Sequence, residues 1–232
     1  MATLNTLNGP IFKASSHSKI ENAVVMLHGY GADGNDLIQL APIFSNDLPN
    51  TIFFSPNAPD ITSHGVGRQW FNIDFYSPEL IRNNKQELIS LLSRMHNGAQ
   101  NSSLLIEDFI ETIKINYNLD NKDIVLMGFS QGTMMAMNTG LTLTNPLAGI
   151  VGFSGALMGE NEIIKKITHP PPVVLIHGND DDLIPPEATI HMQAVLSKNN
   201  IKVNHHILSN VGHNINEEGI SIAKKFLIKN LY

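Results

Sequence analysis

Short, continuous apolar runs separated by helix-period segments constrain this 232-residue chain more than any other feature. The runs cover residues 24–27, 51–54, 124–127, 149–151 and 173–176. A strand exposed on one face alternates apolar and polar residues; a run without alternation is a strand covered on both faces, as in a parallel sheet. Residues 202–208 alternate more and suit an outer strand. Helices are expected between the runs, at 102–117, 131–141, 187–198 and 215–230. In the first of these, Leu105, Phe109 and Ile113 form one apolar stripe with Ile106 and Ile110 beside them. Ser102 or Ser103 is expected to cap that helix, with Glu107 and Asp108 near its positive end. The pattern predicts an α/β fold: a mostly parallel central sheet with helices on both faces. At 42% apolar residues the chain can bury one full core, so residues 1–232 are read as a single domain.

One stretch exceeds a minimal strand-to-helix connection. About 45 residues separate the strand ending before Pro56 from the next expected core helix, where ordinary connections run to about 2–6 residues. Residues 78–96 can form a helix of their own, with Leu80, Leu88, Leu91, Leu92 and Met95 as its apolar members. The insertion, at about residues 60–100, is read as a lid or acyl-binding segment.

Gly128-Phe129-Ser130-Gln131-Gly132 matches G-x-S-x-G. The pattern alone arises by chance about once in twelve chains of this length. Here it directly follows an expected strand and directly precedes an expected helix, the context of a nucleophile elbow. That makes Ser130 the candidate nucleophile of an α/β-hydrolase, placed where free helix N–H groups favour developing negative charge.

A serine hydroxyl needs a base to take its proton and a carboxylate to hold that base in the correct tautomer. In this fold the chain order is Ser, then acid, then His. The segment from Leu175 to Pro185 leaves an apolar strand and enters a loop with Asp180, Asp181 and Asp182, and spacing alone does not choose among the three. Of ten histidines, His213 follows the outer strand and precedes the last helix, which makes it the candidate base. His177 lies in the acid loop itself, and His205 and His206 point to opposite faces of one strand. The glycine-rich loop at residues 27–34 can aim backbone N–H groups at an oxyanion, in company with the N–H of Gln131.

Other chemistries are disfavoured. G-x-G-x-x-G is not matched and no Gly-Lys-Ser/Thr follows the loop, so a nucleotide site is not expected. A net charge of −6 without a basic run argues against nucleic acid as a partner. The chain has no cysteine, which excludes disulfides and thiolate chemistry. No signal peptide is visible and no apolar run approaches the roughly 18 residues of a membrane span, so a cytoplasmic protein without stable membrane insertion is expected.

With these residues in place the chain resembles the phospholipase/carboxylesterase family, which includes acyl-protein thioesterases, and within it the bacterial carboxylesterase type. The resemblance runs from about residue 20 to the C-terminus. It rests on LHGYGADGNDL at 27–37, SPNAP at 55–59, GRQWF at 67–71, GFSQGTMMA at 128–136, HGNDDDLIP at 177–185 and Gly212-His213. It implies that Asp181 is the catalytic acid, that Ser130 and His213 complete the triad, and that the N–H groups of Tyr30 and Gln131 form the oxyanion hole. It further implies a serine esterase without cofactor or metal, acting on a small-molecule or lipid ester. Some members form dimers, so a homodimer is allowed. Hydrolysis of short- to medium-chain carboxylic esters is expected, with thioesters and lysophospholipids as the alternatives and a non-catalytic binding protein as a distant one. Trp70, Phe71, Phe75 and Leu80, all in the insertion, are expected to hold the acyl chain.

Overall fold

The apolar runs form the strands of one seven-stranded sheet, in a computed structural model that describes residues 7–14, 19–74 and 85–232. The strands are β1 (Ile11–Lys13), β2 (Asn22–Leu27), β3 (Thr51–Phe54), β6 (Ile124–Phe129), β7 (Gly149–Phe153), β8 (Val173–Gly178) and β9 (Val203–Leu208). Their order across the sheet is β1-β3-β2-β6-β7-β8-β9. Every neighbouring pair is parallel except β1 with β3.

Side-chain alternation splits the central strands between two cores. Val25, Leu27, Leu126, Ile150 and Leu175 face one layer of helices with Ile106, Ile110, Met135 and Met192. Val24, Met26, Met127, Val151 and Val174 face the other, with Phe44, Ala223 and Leu227. Residues Ala23 to Leu27 have no exposed surface, which is why this strand reads as a run without alternation. On β9, at the edge of the sheet as expected, Asn204, His205 and His206 are exposed in succession rather than in alternation; neighbours along a strand point to opposite faces, so both faces are open to solvent there.

The chain steps from β2 to β3 on one side and then crosses back to β6 on the other. The order therefore reverses between β2 and β6, leaving a crevice beyond the carboxyl ends of these two strands, the usual place for a ligand in such sheets.

The insertion differs from expectation. It begins with an antiparallel pair, β4 (Asp60–Ile61) and β5 (Arg68–Gln69). It then gives way to one continuous helix, Lys85–Tyr117, rather than two helices divided near residue 100. Asn97, Gly98, Asn101, Ser102 and Ser103 suggest a break by their type. Tertiary contacts override that preference: Ala99 is fully buried, Ser102 Oγ donates to Trp70 O, and Ser103 Oγ accepts from Asn138 Nδ2 at 2.6 Å. Neither serine is a cap, and Glu107 and Asp108 are far from the helix start. Among the described residues no helix is long and apolar enough to cross a membrane.

Candidate active site

Ser130 lies at the turn between β6 and the helix Gln131–Gly140, with φ 55° and ψ −117°. A non-glycine residue seldom adopts this conformation, and holding it costs roughly 1–3 kcal/mol that the surroundings must supply. They do so with short contacts. The Ser130 N–H donates to Phe153 O at 2.8 Å, and Thr133 Oγ1 lies 2.8 and 2.7 Å from the carbonyls of Gly128 and Phe153. The two motif glycines let the chains meet: a Cβ on Gly132 would lie 1.8 Å from Leu27 O, and one on Gly128 2.3 Å from Gly132 O. Strand β6, its helix and the end of β2 thus converge beneath the serine.

His213, in the loop after β9, places Nδ1 2.7 Å from Asp181 Oδ2. Asp181 follows β8 and its carboxylate is buried. Its Oδ1 accepts from the peptide N–H groups of Leu183 and Ile184 at 3.0 and 2.9 Å. Its Oδ2 is also 3.1 Å from His177 Nε2. Burial by itself pushes this carboxyl up. The hydrogen bonds from His177, His213 and the Ile184 peptide outweigh it and hold Asp181 well below the usual carboxylate range. Asp180 and Asp182, its competitors in the sequence, are exposed.

His177 is the residue that sequence reasoning set aside. Its Nε2 is 2.9 Å from the Ile184 carbonyl, which can only accept, so Nε2 carries the proton. Its Nδ1 then accepts from Thr189 Oγ1 at 2.7 Å. No spacing rule distinguishes such a buried supporting histidine from an exposed one; the apolar run leading into it was the available signal.

The N–H groups of Tyr30 and Gln131 are placed at the carboxyl ends of β2 and β6. Gln131 is the first residue of its helix, so its N–H has no acceptor within it. Among the described residues no backbone acceptor is found for the Tyr30 N–H, whereas its neighbours Gly31 and Ala32 use theirs.

Ser130, Gln131, Tyr30 and His213 line one cavity of about 290 Å³, whose apolar wall includes Ile73, Met95, Met134, Leu183 and Ile184. Trp70 and Phe71 do not line it. They are 1% and 2% exposed and packed in the core below, because the Trp70 indole N–H is drawn to His28 O at 2.9 Å and both main chains bond to the Gln131 side chain. Phe75 and Leu80 lie outside the described residues. The arrangement sets a serine hydroxyl, an imidazole bonded to a carboxylate and two N–H groups around one apolar cavity, which is equipment suited to acyl transfer.

Comparison with known proteins points the same way. The sequence profile of the phospholipase/carboxylesterase family matches residues 11–231. An acyl-protein thioesterase 1 from Debaryomyces hansenii is 27% identical over 92% of this chain and 93% of its own. One from Gibberella zeae is 28% identical over 94% and 93%. Among solved structures, that of esterase PE8 superposes with a TM-score of 0.87 at 33% identity, covering 97% of this chain and all of the other.

Proposed function

The chain belongs to the phospholipase/carboxylesterase family of hydrolases, and on that premise we propose that it is a serine esterase cleaving short- to medium-chain carboxylic esters through a Ser130–His213–Asp181 triad. The observation that carries the reading is the 2.7 Å bond from His213 Nδ1 to Asp181 Oδ2, in a ring that opens on the same cavity as the strained Ser130. With Nδ1 held as a donor, Nε2 is the nitrogen left to take a proton.

Ser130 Oγ attacks the ester carbonyl while its proton passes to His213 Nε2. The carbonyl π-electrons move onto oxygen, and the oxyanion is met by the N–H groups of Tyr30 and Gln131. On collapse the carbon–oxygen bond to the alcohol breaks, and His213 returns the proton to the departing oxygen. Water then repeats the sequence on the acyl-enzyme, with His213 as base, releasing the acid and restoring Ser130. Asp181, already an anion with four donors about it, orients His213 and stabilises its charged form. Ile73, Met95, Met134, Leu183 and Ile184 receive the acyl chain.

A second reading is a thioester or lysophospholipid substrate on the same residues. The names of the fungal relatives support the thioester. A panel of matched oxygen esters, thioesters and lysolipids ranks them by kcat/KM. The triad itself is tested by Ser130→Ala, which is expected to abolish p-nitrophenyl ester turnover and fluorophosphonate labelling; retained turnover overturns the assignment.

A further inference from the structure

The two N–H donors assigned to the oxyanion hole lie just beyond the ends of separate strands, β2 and β6, and something must fix their separation. The shared wall between them is the segment Arg68–Phe71. Gln131, 2% exposed, grips this segment with its side-chain amide. Its Oε1 accepts from the Trp70 N–H at 2.9 Å, and its Nε2 donates to Phe71 O at 2.8 Å. The Trp70 indole then reaches the other strand, donating to His28 O at 2.9 Å, two residues before Tyr30. Beyond Tyr30 the same segment bonds again. The Gly31 N–H donates to Arg68 O at 2.8 Å and the Arg68 N–H to Ala32 O at 2.9 Å. The approach is so close that a Cβ on Gly67 would stand 1.9 Å from Gly31 O. His28 itself is fixed from below, its Nε2 accepting from the Ala58 N–H at 3.0 Å and its Nδ1 donating to Gly29 O at 2.8 Å.

We propose that the Gln131 side chain and the Trp70 indole are positioning residues for the oxyanion hole: together they form a strut that sets the distance between the Tyr30 and Gln131 N–H groups. This rests on the reading of those two N–H groups as the oxyanion donors. The hydrogen bonds of the strut go to backbone atoms of Trp70, Phe71 and His28 and not to Asp181 or His213, so it acts on the transition state through the donors it spaces. Trp70 and Phe71, which the sequence suggested for the acyl chain, brace the site from beneath, while Ile73 and Met95 of the same insertion line the cavity.

The test uses Gln131→Met, which keeps the side-chain length and drops both hydrogen bonds, and Trp70→Phe, which keeps a ring and drops the donor to His28 O. Each is expected to lower kcat by about 10- to 100-fold, since displacing a donor by a fraction of an ångström falls short of removing it. KM should stay within about twofold. The inhibition constant of a trifluoromethyl ketone, whose tetrahedral adduct places an oxyanion in the hole, should rise by the factor by which kcat/KM falls. Because both residues belong to one strut, the double variant should lose no more than the worse single one. The proposal is overturned if folded variants keep kcat within twofold, if KM rises while kcat holds, or if the two losses multiply. Should Gln131→Met fail to fold, Trp70→Phe alone decides by the same kcat and inhibitor criteria. Ser130→Ala separates the two levels: turnover in that variant removes the underlying mechanism, whereas its loss together with unaffected strut variants removes only the strut.

Discussion

Replacing Asp181 by Asn probes the triad more sharply than deleting it, because the surroundings dictate how the amide must lie. Two peptide N–H groups, from Leu183 and Ile184, face Oδ1 at 3.0 and 2.9 Å. Two histidine nitrogens, His213 Nδ1 and His177 Nε2, face Oδ2 at 2.7 and 3.1 Å. The Asn oxygen must take the first place and its NH₂ group the second. That NH₂ cannot accept from His213, so the imidazole exchanges tautomers: Nδ1 becomes the acceptor and Nε2 carries the proton. A protonated Nε2 cannot receive the Ser130 proton. The loss expected from a wrong tautomer is about 10⁴ in kcat, or about 5.5 kcal/mol at the transition state. His177 keeps Ile184 O as its acceptor at 2.9 Å, so the fold should survive. The assay is steady-state hydrolysis of p-nitrophenyl butyrate at pH 8, with thermal denaturation on the same sample. A folded Asp181→Asn protein that keeps kcat within tenfold of the parent would refute the assigned role of Asp181.

Three further outcomes are expected. Along a p-nitrophenyl ester series from two to twelve carbons, kcat/KM should climb by up to about fourfold per methylene, from about 0.8 kcal/mol of burial each. It should level off near six to eight carbons, because a cavity of about 290 Å³ holds on the order of ten water-sized units, some taken by the ester group; a rise continuing unbroken to twelve would refute the cavity as the acyl site. Ser130→Gly should raise the melting temperature by several degrees and Ser130→Ala should not, since only glycine relieves a φ of 55°; equal melting temperatures for the two variants count against stored strain. Burial pushes the His28 imidazole below its ordinary value, against the pull of its bond to Gly29 O. The unfolded chain therefore binds more protons at mildly acid pH, and the stabilisation by neutral His28 should be full above about pH 6.5 and fall below it, by up to about 1.4 kcal/mol per unit. Chemical denaturation from pH 7.5 to 5 should show that slope flattened in His28→Gln, and an unaltered slope argues against a titrating His28.

The sequence disclosed what depends on local pattern. Residues 24–27 and 124–127 read as doubly covered strands because both faces are packed, and the helix at 187–198 was legible to the residue. The sharp strand-to-helix turn at Ser130 was legible because it demands glycines where backbones nearly touch. What escaped was set by partners distant in the chain. The long helix Lys85–Tyr117 runs through Gly98, Ser102 and Ser103 because Trp70 and Asn138 receive the serines, and no local rule reveals that. Strand β1 is three residues long and leans on β3, too short for a periodicity to register.

Trp70 is the instructive case. Hydrophobic pattern measures how much of a residue is covered but is silent on what covers it, so an indole beside a catalytic loop reads equally as acyl cradle or as core. The polar tip decides between them. A buried indole N–H must find an acceptor. The carbonyl of His28 lies 2.9 Å away, which turns the ring under the loop and leaves the cavity wall to Ile73, Met95, Met134, Leu183 and Ile184. Side chains lacking a polar atom, or carrying only the weakly accepting sulfur of methionine, face no such demand, and they are the ones available to line a site that must change its contents at every turnover. The division of labour follows from hydrogen-bond satisfaction. Groups that need a fixed partner, the Trp70 indole and the Gln131 amide, build the frame that spaces the donors, while residues without that need meet the substrate.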